Sequence, residues 1–284
     1  MRSIVKTRLA KPPGWAVVGL WCLLSWAWAP VPCAAECLQV TCTTTLIESV
    51  VRAVGQDRVS ATTIVPFGMC PGHFDISPGV IQRIKRSNLF IAHGFERFLQ
   101  NLVNDDNDAI PLVRVGVHEN WMIPDVHIEA VERITDILSA QCPASAAFFE
   151  ENAARYCADI RHQEHRLLDE LAYLRDTPVI CSDLNAPFIE WLGFSVVETF
   201  PRDEDISVKG LHDIVVAAKR GGVRCVFDNL QSSGKVGKTL ASELGIPLIM
   251  LSNFPNERSP SYLETLKQTG QKITAVLHIA PESR

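Results

Sequence analysis

The segment at residues 143–175 constrains the fold more than any other part of the sequence. Pro143 suits the first position of a helix, and apolar residues then recur at three- and four-residue steps with charged residues between them. This pattern predicts one amphipathic helix of about 31 residues, roughly 46 Å long. Such a helix is longer than packing within one small domain requires. We therefore predict a spine that links two lobes.

On both sides of this segment, short apolar stretches alternate with amphipathic ones. Strands are predicted before the spine at 38–45, 59–65, 89–92 and 112–115, and after it at 179–181, 196–199, 223–227 and 248–251. Strands that alternate with helices are typical of a parallel sheet covered on both faces. The predicted fold class is α/β, with two (β/α) lobes joined by a single long spine helix. The predicted boundaries are 36–142 for the first lobe, 143–176 for the linking helix and 177–284 for the second lobe.

The first 35 residues have the composition of an export signal. Four basic residues and no acidic one precede an apolar run at 14–29, and small residues follow up to Ala35. The apolar run is shorter than the ~20 residues that a membrane-spanning helix needs. We predict a signal peptide at 1–35 that is cleaved near Ala35, which makes the protein periplasmic or otherwise exported. An uncleaved anchor and a lipid on Cys33 are the alternatives.

Charge and cysteine usage exclude some classes of partner. The chain has a formal net charge of −5, and removing the four basic residues of the signal leaves −9. An acidic body with no basic stripe argues against nucleic acid as a partner. Seven cysteines remain after the signal, without a CxxC pair, so a structural zinc knot is not expected. An odd number of cysteines leaves at least one free thiol, and we expect a monomer.

Residues 62–78, TTIVPFGMCPGHFDISP, form the most suggestive local motif. An apolar strand ends in a loop in which prolines restrict φ and glycines relax it, so the backbone specifies the loop shape. The loop carries His73, with Asp75 two positions later. A lone histidine in a rigid turn is a common first metal ligand, and an ordinary loop residue is the alternative interpretation.

Polar side chains follow most of the predicted strands. Open α/β sheets bind their ligands at this edge. The residues concerned are His73, His93, His118, Glu119, Ser182, Asp183, Asp228, Asn229, Ser252 and Asn253. Structural roles are open for several of them, since Asp183 and Asp228 suit helix N-caps and His93 suits a turn beside Gly94.

The order of these segments resembles a known family. VTCTTTLIESVVRAVGQDRV, IVPFGMCPGHFDISP, LFIAHGFERFLQNL and PVICSDLNAPFIEWLGF are similar to segments of the metal-binding receptors of zinc/manganese ABC importers. The resemblance covers essentially the whole chain after residue 35. It implies a receptor without turnover that holds a divalent transition metal (Zn, Mn or Fe) between two lobes and delivers it to an ABC-type permease in the membrane.

The resemblance also implies where the ligands lie. The family takes one histidine from the first loop, one from the segment before the last helix of the first lobe, a histidine or glutamate from the first strand end of the second lobe, and a late aspartate or histidine. His73 matches the first of these ligands. The second position falls on Glu119 beside His118, the third on Ser182 beside Asp183, and the fourth on Asn253. The candidate metal ligands are therefore His73, Glu119, Asp183, Asn253, His118 and Asp228.

The donor types leave the metal and the function open. A site rich in carboxylate and amide oxygen favours Mn²⁺ or Fe²⁺ by ligand type, whereas a thiolate from Cys70 or Cys181 favours Zn²⁺. A receptor on the same scaffold for a non-metal solute or a metal chelate is the first alternative. The second is an exported hydrolase in which His73, Glu119 and Asp228 hold a metal and Asp183 is the base. The absence of HExxH, GxSxG and P-loop patterns counts against the hydrolase.

Overall fold

A computed structural model describes residues 37–104, 111–258 and 260–278. The predicted signal at 1–35 and its cleavage site lie outside the described residues. In the described part of the chain, no helix combines the length and the apolar character that crossing a bilayer requires.

The first lobe is a four-stranded parallel sheet in the order β2-β1-β3-β4. Its strands are β1 (Leu38–Cys42), β2 (Val59–Thr63), β3 (Leu89–Ala92) and β4 (Leu112–Arg114). The helices between and after them are α1 (Thr45–Gly55), α2 (Pro78–Arg86), α3 (Phe98–Asn104) and α4 (Pro124–Gln141). The connections leave β1 on both sides, so the sheet has its topological switch point between β1 and β3.

The spine follows as one long helical segment. Its α-helical part is α5 (Ala146–Leu171), with a 3₁₀ turn before it at Pro143–Ser145 and another after it at Ala172–Leu174. The predicted helix is therefore present, with its first and last turns more tightly wound than the rest. Its buried residues include Phe149, Tyr156 and Leu167.

The second lobe repeats the topology of the first, with a parallel sheet in the order β6-β5-β7-β8. Its strands are β5 (Pro178–Ser182), β6 (Ser195–Phe200), β7 (Cys225–Asn229) and β8 (Leu248–Leu251). Its helices are α6 (Ala186–Trp191), α7 (Val208–Arg220), α8 (Lys235–Leu244) and α9 (Tyr262–Leu277). The equivalent switch point lies between β5 and β7.

Alternate residues of the central strands face different cores. In β3, Leu89 and Ile91 belong to a core that continues through the spine into the second lobe, while Phe90 belongs to a smaller core on the outer face. In β7, Phe227 faces the shared core and Val226 the outer one. Side chains that alternate about each strand explain this division. The shared core thus joins both lobes to the spine.

The fold prediction is confirmed: two parallel-sheet α/β lobes flank a long helix. The spacing of apolar residues predicts a helix at 95–103, but α3 starts only at Phe98. The residues before it form a turn in which the Glu96 carboxylate accepts hydrogen bonds from the backbone N–H groups of His93 (3.0 Å) and Gly94 (2.7 Å). Gly94 has a φ of +116°, a conformation that favours glycine. The residue numbers chosen as lobe boundaries stay a prediction.

Candidate metal centre

The carboxyl ends of both sheets open onto one cleft with a volume of about 340 Å³. Residues of both lobes line it, and their contacts fix its edges. Asn120 Nδ2 donates to the Leu184 carbonyl oxygen (2.9 Å), and Thr45 Oγ1 donates to the Pro255 carbonyl oxygen (2.7 Å). The cleft therefore lies at the ligand-binding edge of both sheets, because open α/β sheets bind their ligands at the carboxyl ends of their strands.

His93 occupies the switch point of the first lobe. It follows β3, and its Nε2 lies 2.9 Å from Oγ1 of Thr44, the N-cap residue of α1. The ring packs against Phe95 (centroids 5.1 Å apart) and the edge of Trp121 (4.3 Å). Burial lowers the pKa of His93 to about 4, although Glu96 opposes the shift. The imidazole is therefore neutral at neutral pH.

His118 and Glu119 reach the cleft from the loop between β4 and α4. Both side chains are exposed there, and Glu119 Oε2 accepts the backbone N–H of His118 (3.2 Å). Trp121 is buried behind them and donates from Nε1 to the Val117 carbonyl oxygen (3.2 Å). The loop therefore presents the Glu119 carboxylate and the His118 imidazole in front of the buried Trp121 ring.

Amide side chains form a hydrogen-bonded network in the cleft wall of the second lobe. At its switch point, Asn229 Nδ2 donates to Asn185 Oδ1 (3.1 Å), and Asn229 Oδ1 accepts the backbone N–H of Gln231 (2.7 Å). Gln231 in turn donates to Ser252 Oγ (3.1 Å) and accepts the backbone N–H of Asn253 (3.2 Å). The network holds the Asn253 backbone at the cleft while its side chain stays half-buried.

Asp183 and Asp228 have different surroundings. Asp183 is exposed and lines both the cleft and a neighbouring pocket of about 150 Å³. Asp228 is buried and lines the neighbouring pocket but not the cleft. Its carboxylate accepts the backbone N–H groups of Asn229 (2.7 Å) and Gly237 (3.2 Å). Burial raises the pKa of Asp228, and these two hydrogen bonds oppose the shift.

His73 lies at the end of the 3₁₀ turn Pro71–His73, exposed and next to the cleft. Arg202, which follows β6 in the other lobe, hydrogen-bonds through Nη1 to His73 Nδ1 and through Nη2 to Cys70 Sγ (2.9 Å). Arginine only donates, so His73 Nδ1 is the acceptor and the neutral ring carries its proton on Nε2. Neither ring nitrogen offers a lone pair to a metal in this arrangement.

The structure brings four of the six candidate ligands to the cleft: His118, Glu119, Asp183 and Asn253. His73 is attached to the cleft edge through Arg202, and Asp228 lies in the neighbouring pocket. Among the described residues, no three His, Cys, Asp or Glu side chains are grouped so that they could hold a metal ion together. The ligand set therefore stays a prediction.

The two cysteines considered as soft ligands also differ. Cys70 lines the cleft. Cys181 is buried in β5, and burial raises the pKa of its thiol to about 12, so it remains protonated at neutral pH. Only Cys70 is placed to contribute sulfur to a ligand in the cleft.

Sequence reasoning missed Arg202 and Gln231 and left His93 out of the ligand set. Arg202 lies two residues beyond a strand, a position that the strand-end rule covers. A search for metal ligands passes over it because arginine is a cation that only donates hydrogen bonds. His93 carried the same positional signal, and its aromatic neighbours are recognisable only from the packing.

Two parallel-sheet lobes fixed to one long helix, with a cleft of polar and aromatic side chains between their carboxyl edges, define the class as a two-lobed α/β protein with a site between its lobes. The match to known families agrees with this class. A family model described as "ZnuA: Zinc-uptake complex component A periplasmic" matches residues 40–276. The chain belongs to this family.

Individual relatives are distant. The manganese-binding lipoprotein MntA of Halalkalibacterium halodurans is 26% identical over 180 residues, covering 57% of this chain and 60% of that protein. MntA of Bacillus subtilis is 24% identical over 220 residues, or 68% of this chain and 71% of that protein. A crystal structure of ZnuA superposes with a TM-score of 0.73 at 19% identity, covering 85% of this chain and 99% of that one. The structural likeness confirms the fold.

Proposed function

We propose that the protein is the exported receptor of an ABC-type importer, which captures a divalent transition metal in the cleft and delivers it to a membrane permease. One observation carries the proposal: the cleft collects imidazole, carboxylate and amide groups from both lobes. His118 and Glu119 come from the first lobe, and Asp183 and Asn253 from the second. The family description and the names of the relatives, which specify zinc and manganese, support the same cargo.

The donor types bear on which metal is carried. Carboxylate and amide oxygens with one imidazole suit Mn²⁺ or Fe²⁺, although intrinsic affinity rises toward Zn²⁺ along the first-row series. Cys70 is the one residue at the cleft that would shift the preference toward zinc. We therefore propose Zn²⁺ or Mn²⁺ as cargo, with Fe²⁺ as a third candidate.

Capture is expected to involve small movements. The shared core runs from one lobe through the spine into the other, and Tyr262 at the start of α9 is tied to the first lobe. Its hydroxyl donates to the Met122 carbonyl oxygen (2.9 Å) and its backbone N–H donates to Ser49 Oγ (3.1 Å). Opening by a wide hinge would break this packing. Side chains at the cleft, Arg202 foremost, are the parts free to rearrange.

The remaining elements of the proposal concern location and assembly. The composition of residues 1–35 supports export with cleavage near Ala35, and the family description includes the word periplasmic. The acidic surface supports a monomer that meets a permease and does not bind nucleic acid. The geometry does not favour the hydrolase alternative, because Asp228, one of its three ligands, lies in a separate pocket and binds backbone amides.

The test is thermal unfolding of the processed, chelator-stripped protein with Zn²⁺, Mn²⁺ and Fe²⁺. A ligand at a thousand times its Kd adds about 4 kcal/mol to the stability of the folded state. We expect such a gain for at least one ion, and its loss in the double variant Glu119→Gln, Asp183→Asn. The matched control is Glu190→Gln with Asp213→Asn, two exposed carboxylates of the second lobe away from the cleft. No gain with any ion would contradict the proposal.

A further inference from the structure

Arg202 is the feature of the cleft that a site for a bare cation does not explain. Its guanidinium lies against Cys70 and His73, in the wall of the cleft that is proposed to hold the metal. The permanent positive charge of a guanidinium repels a divalent cation over several ångströms. The same group is the side chain best suited to bind a carboxylate through two parallel hydrogen bonds.

The cleft is also larger and more apolar than a bare ion needs. Its volume of about 340 Å³ is on the order of ten times the share of one water molecule. Three aromatic rings contribute to its wall, those of Phe95, Trp121 and Phe254. Pockets of about 300 Å³ or more, with apolar walls and a few polar groups, are typical of sites for small organic molecules.

Charges of both signs line this one cavity. Glu119 and Asp183 are acidic and exposed to it, while Arg202 is basic. A bare cation is complementary to the carboxylates only, and a simple anion to the guanidinium only. A metal ion held by an organic acid carries both kinds of charge and satisfies both parts of the wall.

We infer that the cleft takes its metal as a chelate with a small carboxylate-bearing molecule. The inference rests on the proposed function and names the form of the cargo. Arg202 binds a carboxylate of the chelator, and the aromatic rings contact its carbon skeleton. The chelator supplies most of the metal's ligands, and the lining residues Glu119, Asp183 and His118 are the candidates for the remaining donor.

The contact between Arg202 and His73 makes binding of the chelator's carboxylate come before any ligation of the metal by His73. While the guanidinium donates to Nδ1, the neutral ring keeps its proton on Nε2 and cannot ligate a metal. A carboxylate that draws Arg202 away frees a ring nitrogen next to the cleft. Binding of the chelator's carboxylate thus makes His73 available to the metal that arrives with it.

Equilibrium dialysis with separate counting of zinc and chelator on the processed protein tests this. The probes are Zn²⁺ alone, Zn²⁺ with citrate, Zn²⁺ with L-histidine, and each chelator without metal. We expect one zinc and one chelator per protein, with at least tenfold tighter binding of one chelate than of free Zn²⁺. Arg202→Gln should weaken the chelate about 10- to 100-fold, as expected for a lost charge-assisted pair, and should strengthen free Zn²⁺.

Two further variants keep the result interpretable. Lys209→Gln removes one positive charge from an exposed site of the same lobe and should change neither affinity. Arg202→Lys keeps the charge without the planar pair of donors and should lie between wild type and Arg202→Gln for the chelate. Unfolding curves without ligand show whether each variant is folded.

The possible failures are distinct. If free Zn²⁺ binds as tightly as every chelate, or if Arg202→Gln weakens free Zn²⁺, the inference is overturned and the proposed function stands. Binding of citrate or L-histidine as tightly without metal as with it overturns the inference in favour of a receptor for an organic acid. If no form of Zn²⁺, Mn²⁺ or Fe²⁺ binds, the proposed function itself fails.

Discussion

The two lobes share one strand order but carry different chemistry at their switch points. In the first lobe, His93 pairs with Thr44 among aromatic rings. In the second, Asn229 pairs with Asn185, and Gln231 extends the network to Ser252. The comparison shows that the topology determines where a ligand binds, while the side chains at the strand ends determine which ligand it is.

The buried pairs at the two switch points should also respond differently to pH. The buried pair of the first lobe includes an imidazole, which titrates, whereas the amides of the second lobe do not. Acid should therefore protonate the buried pair at the switch point of the first lobe and leave the amide pair at the switch point of the second lobe unchanged. At the cleft, the first lobe contributes Phe95 and Trp121, and the second contributes Asn229, Gln231 and Arg202.

The largest expected effect is the loss of stability on replacing Tyr262, which connects the second lobe to the first. Its ring stacks on His127 of α4 at a centroid distance of 3.6 Å, and it is fully buried. Replacing a large buried aromatic residue with alanine leaves a cavity, so Tyr262→Ala should cost about 3–5 kcal/mol in urea unfolding. Tyr173→Ala, at a residue that is 56% exposed, is the control. A loss below about 1 kcal/mol would show that the lobes are not fastened at this point.

Protonation of His93 alone should destabilise the protein in acid by a slightly smaller amount than Tyr262→Ala. Burial lowers the pKa of His93 to about 4 and that of His127 to about 3, against about 6.5 in the unfolded chain. As the pH falls below 6.5 the unfolded state takes up protons before the folded state does. Stability therefore decreases from pH 6.5 down to about 4, by about 3 kcal/mol for His93 alone.

The matched pair of variants for this prediction comes from the two switch points. His93→Gln should reduce the slope of the unfolding free energy against pH between 6.5 and 4, because one of the two titrating histidines is gone. Asn229→Ser should leave the slope unchanged. Equal slopes in wild type and His93→Gln would mean that His93 does not titrate as its burial requires.

A smaller effect is expected from the amide network of the second lobe. Asn229→Ala leaves the Gln231 backbone N–H and the Asn185 side chain without their present partners, both in buried surroundings. Loss of such partners should cost about 1–3 kcal/mol in urea unfolding. Asn253→Ala should cost less than about 0.5 kcal/mol, because its side chain is half-buried and the network holds its backbone. Equal costs would place Asn253 within the network.

Most of the fold could be predicted from the sequence, because the spacing of apolar residues along the chain indicates its strands and helices. The four-residue apolar run of β3 reads as a buried parallel strand, and all four of its residues are buried. The spine follows from the helical spacing of its apolar residues. The start of α3 was predicted too early, because the contact of Glu96 with the amides of His93 and Gly94 is a turn that hydrophobic spacing does not reveal.

The site was only partly accessible from sequence. The rule that ligands lie beyond strand ends selected Glu119 and Asp183, and both line the cleft, although their role as ligands stays a prediction. It does not distinguish a carboxylate that faces the cleft from one like Asp228, which turns toward the amide of Gly237. The contact of Arg202 with His73 joins residues 129 positions apart, and no local pattern indicates it.

The most direct measurement of the central claim is an anomalous difference map at the zinc edge, from crystals of the processed protein grown with Zn²⁺ and citrate. We predict one strong peak between the lobes, about 2.0–2.2 Å from donor atoms that include Glu119 or Asp183. We also predict citrate density that reaches the Arg202 guanidinium. A map without a peak in the cleft, or with its main peak in the pocket beside Asp228, would contradict the claim that metal is held between the two lobes.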